Sequence, residues 1–404
     1  MQNPTTSTRP PKLVYVIAAG IFLMGTTEFM LAGLLPEVAA DLGVEVTRAG
    51  LLITAFAVGM IVGPPVMALV TLRLPARATL VGALSVFGGG HIVAALSDSF
   101  AVVTVSRVVT ALATGTFWAV GAAVATAVSG PGAGARALAL MSGGLSLAVV
   151  AGVPLGTFAS LFTGWRGPFW MLAVLSLIIG VAVLRMTPAT VGERSSTLSV
   201  RSEVAALRPW RMWMVLAVVV LAQAGFLGMY SFISPLLTGR AGIPARLVPL
   251  VLVAFGVGAL VGTAVGGRFG DRHPLATIAV AVGSSSIGML VLAATSEHSA
   301  VAVIVVVLLG ACGLGANPVL IAQILQHACG STLASGLATA AFNLGTAGGS
   351  ALAAATLTTS LGLSGPAVLG AAITGSAMVP LATLVAFRPR PRPALHTQEC
   401  LAAA

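Results

Sequence analysis

Long apolar runs separated by short polar loops dominate this chain. A helix needs about 20 apolar residues to cross the hydrocarbon core of a bilayer, and twelve runs approach or exceed that length. They fall near residues 13–35, 49–70, 79–96, 101–128, 137–162, 168–186, 212–237, 247–266, 274–295, 300–328, 333–361 and 366–387. One longer polar stretch, 187–211, rich in Ser and Arg, separates the sixth run from the seventh. The pattern predicts an all-α membrane protein of twelve transmembrane helices. Its expected parts are a cytoplasmic arm (1–12), a six-helix bundle (13–186), a cytoplasmic linker (187–211), a second six-helix bundle (212–387) and a disordered cytoplasmic tail (388–404). The first run is longer than a signal-peptide core and carries Glu28, so it reads as a retained span.

The composition agrees. Hydrophobic residues make up 57% of the 404 residues and charged residues 7%, where a soluble domain carries about a quarter charged. The net charge of +10 does not point to nucleic acid: the arginines sit singly in short loops, and two tyrosines leave little surface for stacking on bases. Basic residues instead set the orientation. With both termini in the cytoplasm, 15 of the 20 Lys and Arg residues lie inside. Four (Arg48, Arg166, Arg240 and Arg246) lie outside, and Arg107 lies within a span. The three cysteines form no CxxC pair, so no disulfide framework or zinc site is expected. The only lysine is Lys12, so the chain has no phosphate-binding loop for ATP. The five histidines are scattered and no HExxH occurs. The GxG at Gly313–Gly315 sits in an apolar run and reads as packing. Nothing here builds an enzyme, and neither a metal nor a cofactor is expected.

The chain also repeats itself. Residues 55–63 and 254–262 share six of nine positions at an offset of 199, and at the same offset Pro36 matches Pro235. Both prolines read as ending a span. Two halves of six spans enter the membrane in the same sense, the arrangement that allows two bundles to rock about a central site. Gly144, Ala148, Gly152, Gly156 and Ser160 form a small-residue ridge on span five, as Ala341, Gly345, Gly349 and Ala353 do on span eleven. Such ridges let helices approach closely in lipid. They are expected to meet the other half, with Pro154 letting span five bend. Spans six and twelve, nearly free of polar groups, are expected to face lipid.

Two ionisable residues read as lying well within spans, Glu28 and Arg107. Burying either is costly, so each needs a partner or a wet cavity. Counting inward from the outer ends of spans one and four, both sit about 10 Å deep at 1.5 Å per residue. An apolar setting favours a neutral carboxyl and a nearby arginine favours its ionised form. A carboxyl poised between the two can load and release a proton, so Glu28 is the expected proton-coupling residue and Arg107 its tuner. A static ion pair is the plainer alternative. The second half has Leu227 at the position matching Glu28 and offers neutral polar groups instead: Gln223, Tyr230, Asn317, Gln323 and Asn343. With Phe117 and Trp118 they are candidates to line a cavity for a mostly apolar aromatic molecule.

These residues resemble the twelve-span drug:proton antiporters of the major facilitator superfamily. The stretch from Gly25-Thr26-Thr27-Glu28 to Leu35-Pro36 is similar to their first-helix signature, and Ser106-Arg107-Val108-Val109-Thr110 to the arginine motif of the fourth helix. Gly152-Val153-Pro154-Leu155-Gly156 resembles the fifth-helix antiporter motif. Gly267-Arg268-Phe269-Gly270-Asp271-Arg272 resembles the cytoplasmic gate motif; the matching first-half loop keeps Arg73 and Arg77 but has no aspartate. The stretches 26–42 and 49–60 look most like the chloramphenicol-resistance exporters, and His91, Trp165-Arg166 and Phe169-Trp170 are compatible with that group. The resemblance implies a monomer in the inner (cytoplasmic) membrane that exchanges protons for a small amphipathic antibiotic, chloramphenicol first among the candidates, or for a sugar or endogenous metabolite.

Overall fold

A computed structural model describes residues 11–71, 74–129, 134–188, 207–270, 272–327 and 332–387. The tail, most of the arm and linker, and the gate residues Arg73 and Asp271 lie outside the described residues. Among those described there are helices and no strands. We number the helices by span. The first six are α1 (Lys12–Asp41), α2 (Leu51–Thr71), α3 (Ala76–Leu96), α4 (Phe100–Ser129), α5 (Gly134–Leu147 and Val153–Thr163) and α6 (Arg166–Met186). The second six are α7 (Trp210–Tyr230), α8 (Val248–Gly270), α9 (Pro274–Thr295), α10 (Ser299–Gly315 and Asn317–His327), α11 (Thr332–Thr356) and α12 (Gly365–Ser376 and Met378–Ala386). Eleven candidate spans among the described residues are long and apolar enough to cross a membrane. The remaining helix, α11, is long enough at 25 residues but is built largely from Gly, Ala, Ser and Thr. The all-α membrane fold expected from the runs is therefore present.

Prolines act less abruptly than their positions suggest. Pro36 does not end span one; α1 runs through it to Asp41. A proline removes one backbone donor, which a helix held on both sides by packing can tolerate. The turn that does end α1 is made at Gly43, whose φ of 62° is a left-handed conformation that a side chain would strain. At Pro154 the chain makes room by widening: a π-helical turn, Ala148–Gly152, precedes the proline and leads into Val153–Thr163. Such a turn relieves the clash between a proline ring and the carbonyl four residues back. Pro235 likewise leads into a π turn, Leu236–Arg240, after α7 has already broken at Tyr230.

The internal repeat is visible in the packing. A Cβ placed on Gly63 of α2 would lie 3.1 Å from the Cα of Leu112 on α4. The same atom on Gly262 of α8 would meet the backbone of Ala311 on α10, and both residues lie 199 further along the chain. The ridge of α5 packs on α1, with Gly144 on the Ala18 carbonyl, Gly152 on Thr26 and Gly156 on Met30. The ridge of α11 packs on α7, Gly345 against Val220 and Gly349 against Ala224. The close contacts expected between the halves are thus made inside each half, spans one with five and seven with eleven. The bare glycine backbones are there because lipid drives no association and only close packing does. Gly262→Val forces two backbones apart, and overpacking of this kind costs about 1–3 kcal/mol. The variant is expected to show a clearly lower unfolding midpoint in detergent, while Gly267→Val, at a glycine with open space around it, should not.

Contacts divide the chain into two compact units, one of Met1–Met30 with Val62–Ser195 and one of Leu31–Ile61 with Ser196–Ala404. The end of α1 and the start of α2 therefore group with the second unit. There the Thr54 and Ser350 hydroxyls bond at 2.7 Å, and Gly50 lies against the Phe232 ring. On α6 the apolar residues Val174, Leu177, Ile178, Val181 and Leu184 are exposed, and on α12 so are Val379 and Val385, as lipid-facing helices require.

Candidate functional site: a buried arginine clamp beside Glu28

The first unit concentrates its polar chemistry where α1, α3 and α4 meet. Arg107 on α4 is 1% exposed and is the largest of the fully buried side chains. Its guanidinium grips one residue of α1 twice: Nη1 donates to Thr27 Oγ1 at 2.9 Å and Nη2 to the Thr27 carbonyl at 3.1 Å. The planar fork of arginine suits such two-point contacts. Thr27 Oγ1 lies 2.8 Å from His91 Nε2, and His91 Nδ1 lies 2.7 Å from the Phe87 carbonyl. The carbonyl can only accept, so Nδ1 carries the ring proton and Nε2 accepts from the threonine hydroxyl. The donors then run in one direction, from Arg107 through Thr27 and from His91 on to Phe87. A charged ring would point a second donor at Thr27 Oγ1 beside the guanidinium, so the network fits neutral His91.

Aromatic rings enclose the histidine. Its ring centroid is 4.2 Å from that of Phe87 and 5.3 Å from that of Phe169, and Phe169 in turn meets Trp165 edge-on at 5.3 Å. Beyond this cluster Arg166 closes on Asp98 at 2.6 Å. Gly90, beside His91, carries no side chain where the Thr110 methyl of α4 comes in.

Glu28 follows Thr27 on α1 and is half-buried, and its charge and that of Arg107 interact. Among the described residues no hydrogen bond or ion pair fixes the Glu28 carboxylate, while Thr27 holds the guanidinium. The acid is left in the field of an anchored cation. The sequence singles out Glu28 and Arg107, while Thr27 and His91 enter there only through the family resemblance and without a role beside them. A threonine in a span is commonplace, and only the helix rotation shows which neighbours it joins. His91 carried a clue, as a third ionisable group inside a span.

The remaining candidates are dispersed. Phe117 is fully buried with its ring on the bare backbone of Gly20, and Trp118 is half-buried. In the second unit Gln223 Nε2 donates to Asn317 Oδ1 at 2.8 Å. Tyr230 stacks on Phe255 at 4.8 Å, Asn343 Nδ2 donates to the Thr339 carbonyl, and Gln323 donates to Gln326. Gly313 and Gly315 serve packing, the first under the Phe226 ring and the second against Gly262. Gly152, Pro154 and Gly156 are buried along α1, and of the gate motif Gly267 is half-exposed and Arg272 exposed.

Residues 17–335 match the Major Facilitator Superfamily, well over half of the chain. The chain belongs to this superfamily. Its members are transporters rather than enzymes, in keeping with a chain of many candidate membrane spans. Among its relatives is a chloramphenicol resistance protein of Streptomyces lividans, 38% identical over 380 residues, covering 93% of this chain and 96% of the relative. The inner membrane transport protein YdhP of Escherichia coli (strain K12) is 32% identical over 364 residues, 90% of this chain and 93% of the relative. As a superfamily transporter the chain is expected to carry a small molecule.

The clamp makes a specific prediction. Thr27→Val keeps the shape but removes the hydroxyl shared by Arg107 and His91, and a buried polar group deprived of its partner costs about 1–3 kcal/mol, more when charged. Transport by Thr27→Val should fall severely at equal protein level, and Thr27→Ser should restore most of it. The comparison is read by uptake per unit of membrane-inserted protein.

Proposed function

We propose that this transporter exports a small amphipathic antibiotic, chloramphenicol first, in exchange for protons. It sits in the cytoplasmic membrane as a monomer with both termini inside, and alternates access between the two sides. Glu28 carries the proton, and Arg107, held by Thr27, tunes it. Aromatic and neutral polar groups, with Phe117 and Trp118 among them, contact the substrate. The observation that carries the coupling is the half-buried Glu28 carboxylate, with no hydrogen bond of its own among the described residues, in the field of Arg107. The relative named for chloramphenicol resistance, matched over 93% of this chain, supports the substrate. An acid inside a bilayer is expensive and its default reading is functional. Cells expressing the protein are expected to accumulate less labelled chloramphenicol than control cells, and a protonophore is expected to erase the difference. Low accumulation that persists without a gradient contradicts the coupling. Unchanged accumulation of chloramphenicol, with lowered accumulation of a sugar, contradicts the substrate.

A further inference from the structure

Most hydroxyls on these helices bond back to a carbonyl three or four residues earlier in their own helix. Thr110, Thr114, Thr157, Ser231 and Thr346 all do so. The local bond satisfies a group that packed side chains and lipid cannot solvate. Among the hydroxyls of the second unit that depart from this habit, two border one cavity. Ser285 on α9 and Thr374 on α12 are 2% and 1% exposed, and neither hydroxyl has a hydrogen-bond partner among the described residues. Gln223 on α7 is 1% exposed, and while its Nε2 is taken by Asn317, its Oε1 has no hydrogen-bond partner among the described residues either.

Gln223, Ser285 and Thr374 line one cavity, which Asn317, Phe226 and Leu320 also border. Its free space is about 10 Å³, close to what one water molecule needs. Three such oxygens left without partners would each cost about as much as a lost hydrogen bond. A water donates twice and accepts twice, so one molecule can donate a hydrogen bond to Gln223 Oε1 and exchange hydrogen bonds with both hydroxyls. A cation is disfavoured because no charged side chain lines the cavity and its charge would stay uncompensated.

We propose that this cavity is a binding site for a single internal water that joins α7, α9 and α12, with α10 brought in through Asn317. The site commits both ends of the Gln223 amide to the interior of the bundle. Gln223 is then a structural residue of the second half and not a substrate contact. This inference does not depend on the coupling proposed for Glu28.

The sign of a conservative substitution tests it. In a hydrated site Thr374→Val and Ser285→Ala each take a partner from the water, so the unfolding midpoint of the detergent-purified protein should drop by about 2–4 °C. Thr374→Ser should stay near the parent. In a dry site the same substitutions remove an unsatisfied hydroxyl, so an unchanged or raised midpoint overturns the proposal. An experimental density map should show one peak within hydrogen-bond distance of all three oxygens. No peak, or a peak ringed by five or six oxygens at the shorter distances of a bound cation, overturns it as well.

Discussion

Replacing Glu28 with glutamine is expected to abolish gradient-driven export while leaving the protein folded and inserted. Glutamine keeps the size and shape of the acid but cannot give up a proton. The hydrogen bonds that hold Arg107 go to Thr27 and not to Glu28, so the clamp should survive the change. Everted vesicles loaded with the variant should take up labelled chloramphenicol in response to an imposed pH gradient no faster than vesicles without it. Exchange of drug for drug, which needs no net proton movement, should persist. Gradient-driven uptake equal to that of the parent removes Glu28 from the mechanism.

Locking the contact between α2 and α11 is expected to arrest transport. Thr54 and Ser350 meet hydroxyl to hydroxyl at 2.7 Å, close enough for cysteines at both positions to be brought to bonding distance. Alternating access requires helices of the two sequence halves to part at one side of the membrane during each cycle. Oxidising the Thr54→Cys, Ser350→Cys double variant is therefore expected to stop transport, and a reductant to restore it. Each single variant should be insensitive to oxidant. Transport that continues at full rate in the cross-linked protein would show that α2 and α11 need not separate.

Much of the architecture was legible because a bilayer imposes a coarse rule. Runs of about 20 apolar residues have to be helices, so the span count needed no detail of packing. The repeat was legible for a related reason: Gly63 and Gly262 are glycines because a neighbouring backbone comes too close for a side chain, and close approach leaves its mark on composition. Rotation about each helix axis was not legible. It decides that the α5 ridge faces α1, that Arg107 reaches Thr27 and that Gln223 turns toward Asn317 inside its own half. A shift of one residue turns a side chain by 100°, and no periodicity in such uniformly apolar helices fixes the angle. The same uniformity concealed His91, whose importance lies in what stands across from it. Pro36 misled for another reason, since a proline signals a break only where packing does not hold the helix together.

In the proposed exchange, drug and proton compete for one protein whose titrating group is Glu28. Its most direct test is to add chloramphenicol to lightly buffered, purified protein and follow proton release with a pH indicator. The parent should release protons in proportion to the drug bound, and Glu28→Gln should bind drug and release none. Binding without proton release by the parent, or equal release by the variant, would rule out proton exchange at Glu28.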